Sequence, residues 1–440
     1  MLSVGGAAGV SLLHACSSNS TAKTTEYSIL PAVNVNAADA PEVATARLGF
    51  ISLTDCAPLV IAKVKGYFAK HGMGDVELIK EPSWTSIRDN LELGGSDGGT
   101  DGAHILSPMP YLMAEGRITS GGRKLPMYIL ARLNVNGQGI SISKTYTEAK
   151  ARLNGNPLAK NVQEAKDAGK LLRYAVTFPG GTHDLWMRYW LASGGIDPDR
   201  DMTGLVVPPP QMVVNLKSGY MDLFCVGEPW NAKLIQDGLG YSVLTTGEIW
   251  PNHPEKAFTM RAEWVDRYPK ATKALLMAVQ EAQIWCDQPE NRAEMAQIVA
   301  QKRWVNTDIN NILGRVKGTF DYGNGRVEPN SPHVMKFWSK DASYPFKSHD
   351  LWFVTENQRW GYLAAEVDGK KLVDAVNRED LWREAAKAIS QESAIPKSTS
   401  RGVETFFDGF QFDPQTPSVY FDSLNIRYQG LRSLDQFIGN

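Results

Sequence analysis

The sequence predicts an α/β protein built of two similar lobes that face each other across a ligand cleft. Three observations support this fold class. The chain has 440 residues, more than one domain usually contains. Strand-like and helix-like segments alternate along it, which is typical of parallel sheets covered by helices. An imperfect internal repeat places an equivalent unit in each lobe.

The alternation of strands and helices is clearest in the first part of the folded chain. Residues 47–53 (RLGFISL) form an apolar run typical of a strand, and residues 57–65 are helical in pattern and end at Gly66. Residues 75–80 (DVELIK) alternate as a strand does, and residues 84–93 have a helical pattern. This order favours a parallel sheet flanked by helices.

The internal repeat consists of a helix end, a glycine, an aspartate, a short apolar strand and a proline seven residues after the aspartate. One copy carries Asp101 and Pro108, and the other carries Asp222 and Pro229. Each proline then opens a helix, a position that suits its fixed φ. The alternative is chance similarity, because helix–glycine–strand units are common in α/β proteins.

Domain boundaries follow from the repeat and from composition. We predict that residues 45–137 and 246–440 form a discontinuous lobe I with a helical C-terminal part, and that residues 138–245 form lobe II. Residues 17–44 are rich in Ser, Thr, Ala and Asn and predict a flexible tether. The aromatic-rich last ninety or so residues cannot be assigned a role from the sequence.

The first sixteen residues have the pattern of a secretory signal. Residues 1–16 are apolar and rich in small residues, and they end in Leu13-His14-Ala15-Cys16, the form of a bacterial lipoprotein processing box. We therefore predict that Cys16 is lipidated. His14 is unusual there and no basic residue precedes the stretch, which leaves open whether translation starts upstream of Met1. The alternative is the N-terminus of a cytosolic protein.

Composition and missing motifs exclude several classes of protein. A net charge of −2 argues against nucleic acid as a partner. Cys56, Cys225 and Cys286 show neither a disulfide framework nor metal-type spacing, so we expect no metal and no cofactor. The chain lacks the GxxxxGK[ST], HExxH and GxGxxG signatures, and we therefore expect a binding protein rather than an enzyme.

One segment has the local pattern of an anion site. A predicted strand, residues 173–178, leads through Pro179-Gly180-Gly181 into a helix in which Thr182 is the expected N-cap and His183 lies in the first turn. Exposed N–H groups and the helix dipole would face an anion there. An ordinary turn and a structural histidine are the alternatives.

Four stretches resemble the nitrate-binding and bicarbonate-binding lipoproteins of cyanobacterial-type ABC importers. They are residues 53–59 (LTDCAPL), 181–186 (GTHDLW), 226–231 (VGEPWN) and 253–258 (HPEKAF), and the resemblance runs from about residue 45 to the end. It implies a periplasmic binding protein fold of type II and an extracytoplasmic position, anchored by lipid on the periplasmic side of the plasma membrane. It also implies ABC permease and ATPase subunits as partners.

The resemblance also implies which residues hold the ligand. By motif these are Trp84, Gln138, His183 and Lys256, with Gly227 contributing backbone. The bicarbonate binder of this family carries an acidic residue at the lysine position and uses calcium. Lys256, expected on a loop, therefore indicates the nitrate/nitrite branch. Bicarbonate or an alkanesulfonate is the alternative ligand, and an enzyme of the thiamine-pyrimidine synthase type is the alternative class.

The chemistry of nitrate agrees with this choice. Nitrate carries one negative charge and only accepts hydrogen bonds, so we expect a site of donors with one cation and no carboxylate. Its four heavy atoms allow about −6 kcal/mol at roughly −1.5 kcal/mol per atom, whereas micromolar binding needs about −8 kcal/mol. Charge-assisted bonds in a closed, dry cleft must supply the difference, and we therefore expect the lobes to close on the ligand.

The lipidation of Cys16 is directly testable. When the chain is expressed with a basic leader restored upstream, we expect it to be processed and to partition with membranes. A Cys16→Ser variant should lose both properties, because only the thiol can carry the lipid. Membrane fractionation and mass spectrometry of the N-terminus measure the two effects. Unchanged processing and partition in the variant would show that the lipoprotein interpretation is wrong.

Overall fold

The structure is a computed structural model, and it describes residues 30, 39–154 and 156–433. Cys16, the signal segment and most of the tether lie outside the described residues. Within the described ranges, no helix has both the length and the apolar character needed to cross a bilayer.

The described strands fall into two larger sheets and two short hairpins. In chain order they are β1 (Thr45–Ile51), β2 (Asp75–Glu81), β3 (Gly102–Leu106), β4 (Met127–Arg132), β5 (Gln138–Ser143), β6 (Leu172–Val176), β7 (Met202–Val206), β8 (Leu223–Gly227), β9 (Gly240–Thr245), β10 (Lys256–Arg261), β11 (Phe320–Asp321), β12 (Val327–Glu328), β13 (Glu404–Thr405) and β14 (Gln411–Phe412).

Helices flank the sheets and greatly outnumber strands in the chain after β10. They are α1 (Ala57–Val64), α2 (Tyr67–Lys70), α3 (Trp84–Leu93), α4 (Met109–Ala114), α5 (Asn156–Asp167), α6 (Thr182–Ser193), α7 (Met212–Lys217), α8 (Trp230–Gln236), α9 (Thr246–Ile249), α10 (Ala262–Arg267), α11 (Pro269–Asp287), α12 (Arg292–Val299), α13 (Asn310–Val316), α14 (Lys347–Arg359), α15 (Gly369–Val376), α16 (Glu379–Ala388) and α17 (Pro417–Ser423).

The two large sheets have the same topology. The strand order is β2-β1-β3-β10-β4 in one sheet and β7-β6-β8-β5-β9 in the other. In each sheet the first three strands are parallel and the last two pair antiparallel to their neighbours. The predicted fold class is confirmed. The two copies of the sequence repeat lead into β3 and β8, which occupy the same central position.

The chain crosses between the sheets twice, after β4 and after β9. Each crossover delivers an antiparallel strand to the same place in its sheet. Gln138, the first residue of β5, pairs with Gly227 at the end of β8. Lys256, the first residue of β10, pairs with Leu106 at the end of β3. Both side chains therefore start at the carboxyl edge of the parallel strands, where ligands bind in open α/β sheets.

The strands are distributed in agreement with the lobes predicted from the sequence. Every strand of the first sheet lies within residues 45–137 or 246–440, and every strand of the second lies within residues 138–245. We propose these boundaries for the two lobes and use the names lobe I and lobe II for them below.

Two local predictions are wrong. Thr182 is not the N-cap of α6, because Gly181 holds that position and Thr182 is the first helical residue. The Thr182 hydroxyl instead donates to the Glu255 carboxylate. Lys256 does not lie on a loop; it begins β10 and is fully buried.

The C-terminal segment, which the sequence left unassigned, joins the two lobes. Helix α14 carries Asp350, which forms a buried ion pair with Arg132 of β4 in lobe I. Two residues further on, Trp352 stacks on Trp186 of α6 in lobe II, with ring centroids 5.0 Å apart and an interplanar angle of 17°. A single helix thus contacts both sheets' surroundings, through β4 and through α6.

The stack between α14 and α6 should be a major source of stability. We expect Trp352→Ala to lower the free energy of unfolding by about 3–5 kcal/mol, because this fully buried ring cannot be replaced by rearrangement of its neighbours. Urea unfolding followed by circular dichroism measures the loss. The control is Val419→Ala, at a side chain 66% exposed, which should change stability by less than about 0.5 kcal/mol. Equal stability of the two variants would contradict the role of α14.

Candidate functional site

A cluster of polar side chains lies where the two lobes meet. We call Asp55, Gln138, His183, Glu255 and Lys256 the cleft cluster. The relative exposure of each is 0 or 1%. Buried polar groups need hydrogen-bond or ion-pair partners inside the protein, and these residues are largely one another's partners.

In lobe II, the cluster consists of a neutral pair. His183, in the first turn of α6, places Nε2 2.6 Å from Gln138 Oε1, and its Nδ1 lies 2.5 Å from the hydroxyl of Thr177. The Gln138 carbonyl oxygen only accepts, so Nε2 carries the proton and Nδ1 accepts from Thr177. Burial and the nearby Lys256 ammonium hold the pKa of His183 well below its ordinary value. The imidazole is therefore uncharged at neutral pH.

In lobe I, the cluster consists of charged groups. Lys256 Nζ lies 3.0 Å from Asp55 Oδ2 and 2.9 Å from Glu255 Oε1. The second oxygen of Asp55 accepts a hydrogen bond of 2.7 Å from His104 Nε2. Since all four side chains are fully buried, these ion pairs lie in a region of low dielectric constant, where charge interactions are strong.

Contacts between the lobes close the cleft over this cluster. Gln138 Nε2 donates to Asp55 Oδ2 across the lobes at 3.2 Å. Beside it, the backbone N–H of Thr54 donates to the carbonyl of Glu228 at 2.8 Å. Gly227 favours this approach, because a Cβ there would lie 3.1 Å from Leu53 Cδ2 and 3.4 Å from Asp55 Oδ2 of lobe I. The glycine thus leaves room at the point where the lobes touch.

Glu255 makes a second connection across the cleft. Its Oε2 accepts a hydrogen bond of 2.9 Å from the indole N–H of Trp186, and its Oε1 is shared by Lys256 and the Thr182 hydroxyl. The residue before β10 in lobe I is therefore fixed to the first turns of α6 in lobe II. His253, whose pKa is lowered by burial to about 3, lies beside it with Nδ1 3.7 Å from Oε2.

Trp84 lies at the lobe I end of the cluster, at the start of α3. Its ring centroid is 5.8 Å from Lys256 Nζ and 5.5 Å from the His104 ring. Its indole N–H is buried and has no hydrogen-bond partner among the described residues, and the same holds for the hydroxyl of Thr54. A buried donor without a partner is unfavourable, so either group would gain from an acceptor within its reach.

The charges of the cluster follow from these contacts. Burial disfavours ionisation of Asp55, but Lys256 and His104 outweigh it and hold the pKa of Asp55 below its ordinary value. Burial likewise opposes charge on Lys256, yet Asp55 and Glu255 raise its pKa above the ordinary value. The pKa of Glu255 is raised, chiefly by burial. At neutral pH the cluster holds an ammonium whose nearest firmly ionised partner is Asp55.

The structure brings together all five ligand-binding residues that the resemblance implies: Trp84, Gln138, His183, Gly227 and Lys256. The expectation of a site without carboxylates is wrong, because Asp55 and Glu255 both contact Lys256.

Sequence analysis missed Asp55, Glu255 and His104 as members of the site. A signal for two of them was present, since Asp55 lies in the stretch 53–59 and Glu255 in 253–258, the stretches that carry the resemblance. Among the described residues, no group of three or more His, Cys, Asp or Glu side chains is arranged to hold a metal ion.

Comparisons with known proteins place this site in a family. The profile of the NMT1-like family matches residues 39–300. The chain is 56% identical over 430 residues to the nitrate/nitrite binding protein NrtA of Synechococcus elongatus, and the match covers 97% of each chain. It is 43% identical over 399 residues to the bicarbonate-binding protein CmpA of the same species, with 88% of each chain covered.

Two further comparisons concern an ATPase subunit and a solved structure. The chain is 38% identical over 379 residues to part of the nitrate import ATP-binding protein NrtC of Synechocystis, covering 86% of this chain and 55% of NrtC. The crystal structure of the periplasmic nitrate-binding protein NrtA from Synechocystis matches with a TM-score of 0.86 and 56% identity, covering 88% of this chain and all of that one. The chain therefore belongs to the NMT1-like family, and within that family to the nitrate/bicarbonate-binding proteins.

Proposed function

We propose that this protein is an extracytoplasmic solute-binding protein that captures nitrate, and also nitrite, and delivers it to an ABC import permease. The observation that carries the proposal is the fully buried ammonium of Lys256, 5.8 Å from the ring centroid of Trp84, whose indole N–H has no hydrogen-bond partner among the described residues. A buried cation beside free donors suits a small anion that only accepts hydrogen bonds. The relatives named for nitrate binding support the same ligand.

The donors of the cleft cluster can be counted. An ammonium group has three N–H donors, and Asp55 and Glu255 take two of those of Lys256. One donor remains for a ligand. The indole of Trp84 and the hydroxyl of Thr54 add two more. His183 Nε2 can turn from Gln138 Oε1 to the ligand, and the Gln138 amide N–H can turn from Asp55. We propose that Gly227 lines the site with its backbone.

Burial of the cluster supports capture by closure. Because the cluster residues are at most 1% exposed, a solute reaches them only when the lobes separate locally. The bonds that must break on the cleft side include Thr54 to Glu228, Trp230 to Ser52, Gln138 to Asp55, and both Thr182 and Trp186 to Glu255. Closure of two lobes over a ligand is a common mechanism in binding proteins, and it excludes water from charge-assisted bonds.

We further propose that the protein has no catalytic activity. The Cys225 thiol is buried, and burial raises its pKa well above the ordinary value, so it does not supply a thiolate nucleophile. Asp55 is occupied by His104, Lys256 and Gln138, which leaves it no role as a general base. The polar groups in the cleft are ion-paired and hydrogen-bonded with one another, an arrangement suited to binding a ligand.

The cellular position of the protein and its protein partners form the last part of the proposed function. We propose that Cys16 carries a lipid that anchors the protein on the periplasmic side of the plasma membrane. The partners are the permease and ATPase subunits of an ABC importer, and the similarity to part of NrtC, whose name states nitrate import, supports this assignment.

Bicarbonate is the second candidate ligand, and one observation favours it. The carboxylates of Asp55 and Glu255 could accept a hydrogen bond from the O–H group of bicarbonate, which nitrate lacks. Titration calorimetry of the purified protein with nitrate, nitrite, bicarbonate and taurine distinguishes the candidates. We expect heat of binding with nitrate and nitrite and none in the same concentration range with bicarbonate or taurine. Tighter binding of bicarbonate than of nitrate would overturn the proposal.

The charge of Lys256 should be required for nitrate binding. We expect Lys256→Gln to weaken nitrate affinity at least about tenfold, or about 1.4 kcal/mol, because the donor is kept and the charge is lost. Lys256→Glu should abolish binding and also destabilise the fold, since it would place a third carboxylate beside Asp55 and Glu255. Calorimetry and thermal unfolding measure the two effects.

The matched control for Lys256 is Lys65→Gln. Lys65 is also largely buried and also forms an ion pair, with Glu294 at 2.9 Å, but it lies outside the cleft at the end of α1. We expect this variant to bind nitrate as the wild type does. If Lys256→Gln and Lys65→Gln both bind with wild-type affinity, Lys256 is a structural residue and the ligand assignment is lost.

A further inference from the structure

Each lobe contains one pair of polar side chains at the same place in its sheet, but the two pairs differ in chemistry. In lobe II, His183 follows the strand β6 and meets Gln138 at the start of β5. In lobe I, the residue that follows the equivalent strand β1 is Asp55, and it meets Lys256 at the start of the equivalent strand β10. Asp55 thus occupies, in its lobe, the place that the candidate ligand residue His183 occupies in the other.

Asp55 contacts two of the candidate ligand residues, one from each lobe. Its Oδ2 accepts from Lys256 Nζ at 3.0 Å and from Gln138 Nε2 at 3.2 Å. The same oxygen would lie 3.4 Å from a Cβ placed on Gly227. Its Oδ1 is fixed by His104. One carboxylate therefore sets the positions of a donor from each lobe.

We propose that Asp55 is the positioning residue for anion binding: it is the counter-ion that keeps Lys256 charged in the closed cleft, and it holds the Lys256 ammonium and the Gln138 amide side by side across the two lobes. This inference rests on the proposed function, because it assigns a role toward the same anion.

Asp55 fits this role better than Glu255, the other carboxylate on Lys256. The oxygens of Glu255 are shared with Thr182 and Trp186, which hold the cleft side of α6. Burial raises the pKa of Glu255, whereas the pKa of Asp55 is lowered against the effect of burial by Lys256 and His104. Asp55 is therefore the firmly ionised partner of the ammonium.

The other titratable groups around Lys256 carry no compensating charge. They are His104, His183, His253 and Cys225, all fully buried. Burial lowers the pKa of the three histidines and raises that of the thiol, so all four are neutral between about pH 7 and 9. Without Asp55, only Glu255 would remain to balance a buried ammonium, whose desolvation penalty is several kcal/mol.

A simple Coulomb argument predicts the opposite sign. A carboxylate beside an anion repels it, so its neutralisation should tighten nitrate binding. If Asp55 is the positioning residue, Asp55→Asn instead weakens nitrate binding, because Lys256 loses its firmly ionised partner and the pKa of the ammonium falls. The affinity then decreases further as the pH rises through that lowered pKa, since the deprotonated amine carries no charge.

The experiment measures nitrate affinity by calorimetry from pH 7 to 9.5 in the wild type, Asp55→Asn, Lys256→Gln and the double variant. We expect a flat profile for the wild type, in which the pKa of Lys256 is raised. Asp55→Asn should bind about tenfold more weakly at pH 7.5 and progressively more weakly above it. In the Lys256→Gln background, Asp55→Asn should cause a clearly smaller loss, since only the contact with Gln138 is then removed and coupled residues give non-additive effects.

The outcomes separate this inference from the proposed function. If the wild type does not bind nitrate, or Lys256→Gln binds it as the wild type does, the proposed function fails. If Lys256→Gln weakens binding but Asp55→Asn binds equally or more tightly, or has a flat pH profile, the positioning role of Asp55 is overturned. The same holds if Asp55→Asn causes equal losses in both backgrounds.

Asp55→Glu serves as the conservative variant, and it decides the question should Asp55→Asn not fold. Glutamate keeps the negative charge while moving the carboxylate, so its affinity should be reduced and its pH profile should stay flat. A profile for Asp55→Glu that falls with rising pH would contradict the counter-ion role, because the charge is present in that variant.

Discussion

The buried ammonium of Lys256 sets the constraint on which the rest of the site depends. A charge without water is stable only if carboxylates approach it closely, and here they come from two places, Asp55 after β1 and Glu255 just before β10. To bring Asp55 to Lys256, β1 and β10 must flank β3 in one sheet, as they do. The ion pair in the cleft therefore depends on the order of strands in lobe I.

The equivalence of the lobes explains how the cleft obtains two kinds of donor. Each crossover of the chain starts an antiparallel strand at the carboxyl edge of the sheet, once with Gln138 and once with Lys256. The partner in each lobe comes from the segment after the equivalent parallel strand. Identical topology thus yields a neutral pair, His183 with Gln138, opposite a charged pair, Asp55 with Lys256. Only a two-lobed fold lets one anion reach both.

Helix α14 places a limit on how the lobes can move. The stack of Trp352 on Trp186 and the ion pair of Asp350 with Arg132 hold both lobes on one helix, all within the buried core. Separating the lobes as rigid bodies would have to break these contacts, whereas the cleft side is joined by a small number of hydrogen bonds.

The sequence by itself determined the fold class, the repeat that leads into β3 and β8, and the exact bounds of one helix, α3 (Trp84–Leu93). Hydrophobic periodicity, glycines and prolines are local signals, so they can be recognised in the sequence without a structure. Only the tertiary structure decided that Lys256 begins a strand, that Thr182 donates to Glu255 instead of capping α6, and that α14 joins the lobes. These outcomes depend on partners far apart in the chain, and a buried charge or hydroxyl selects its partner by distance and desolvation, which sequence spacing does not encode.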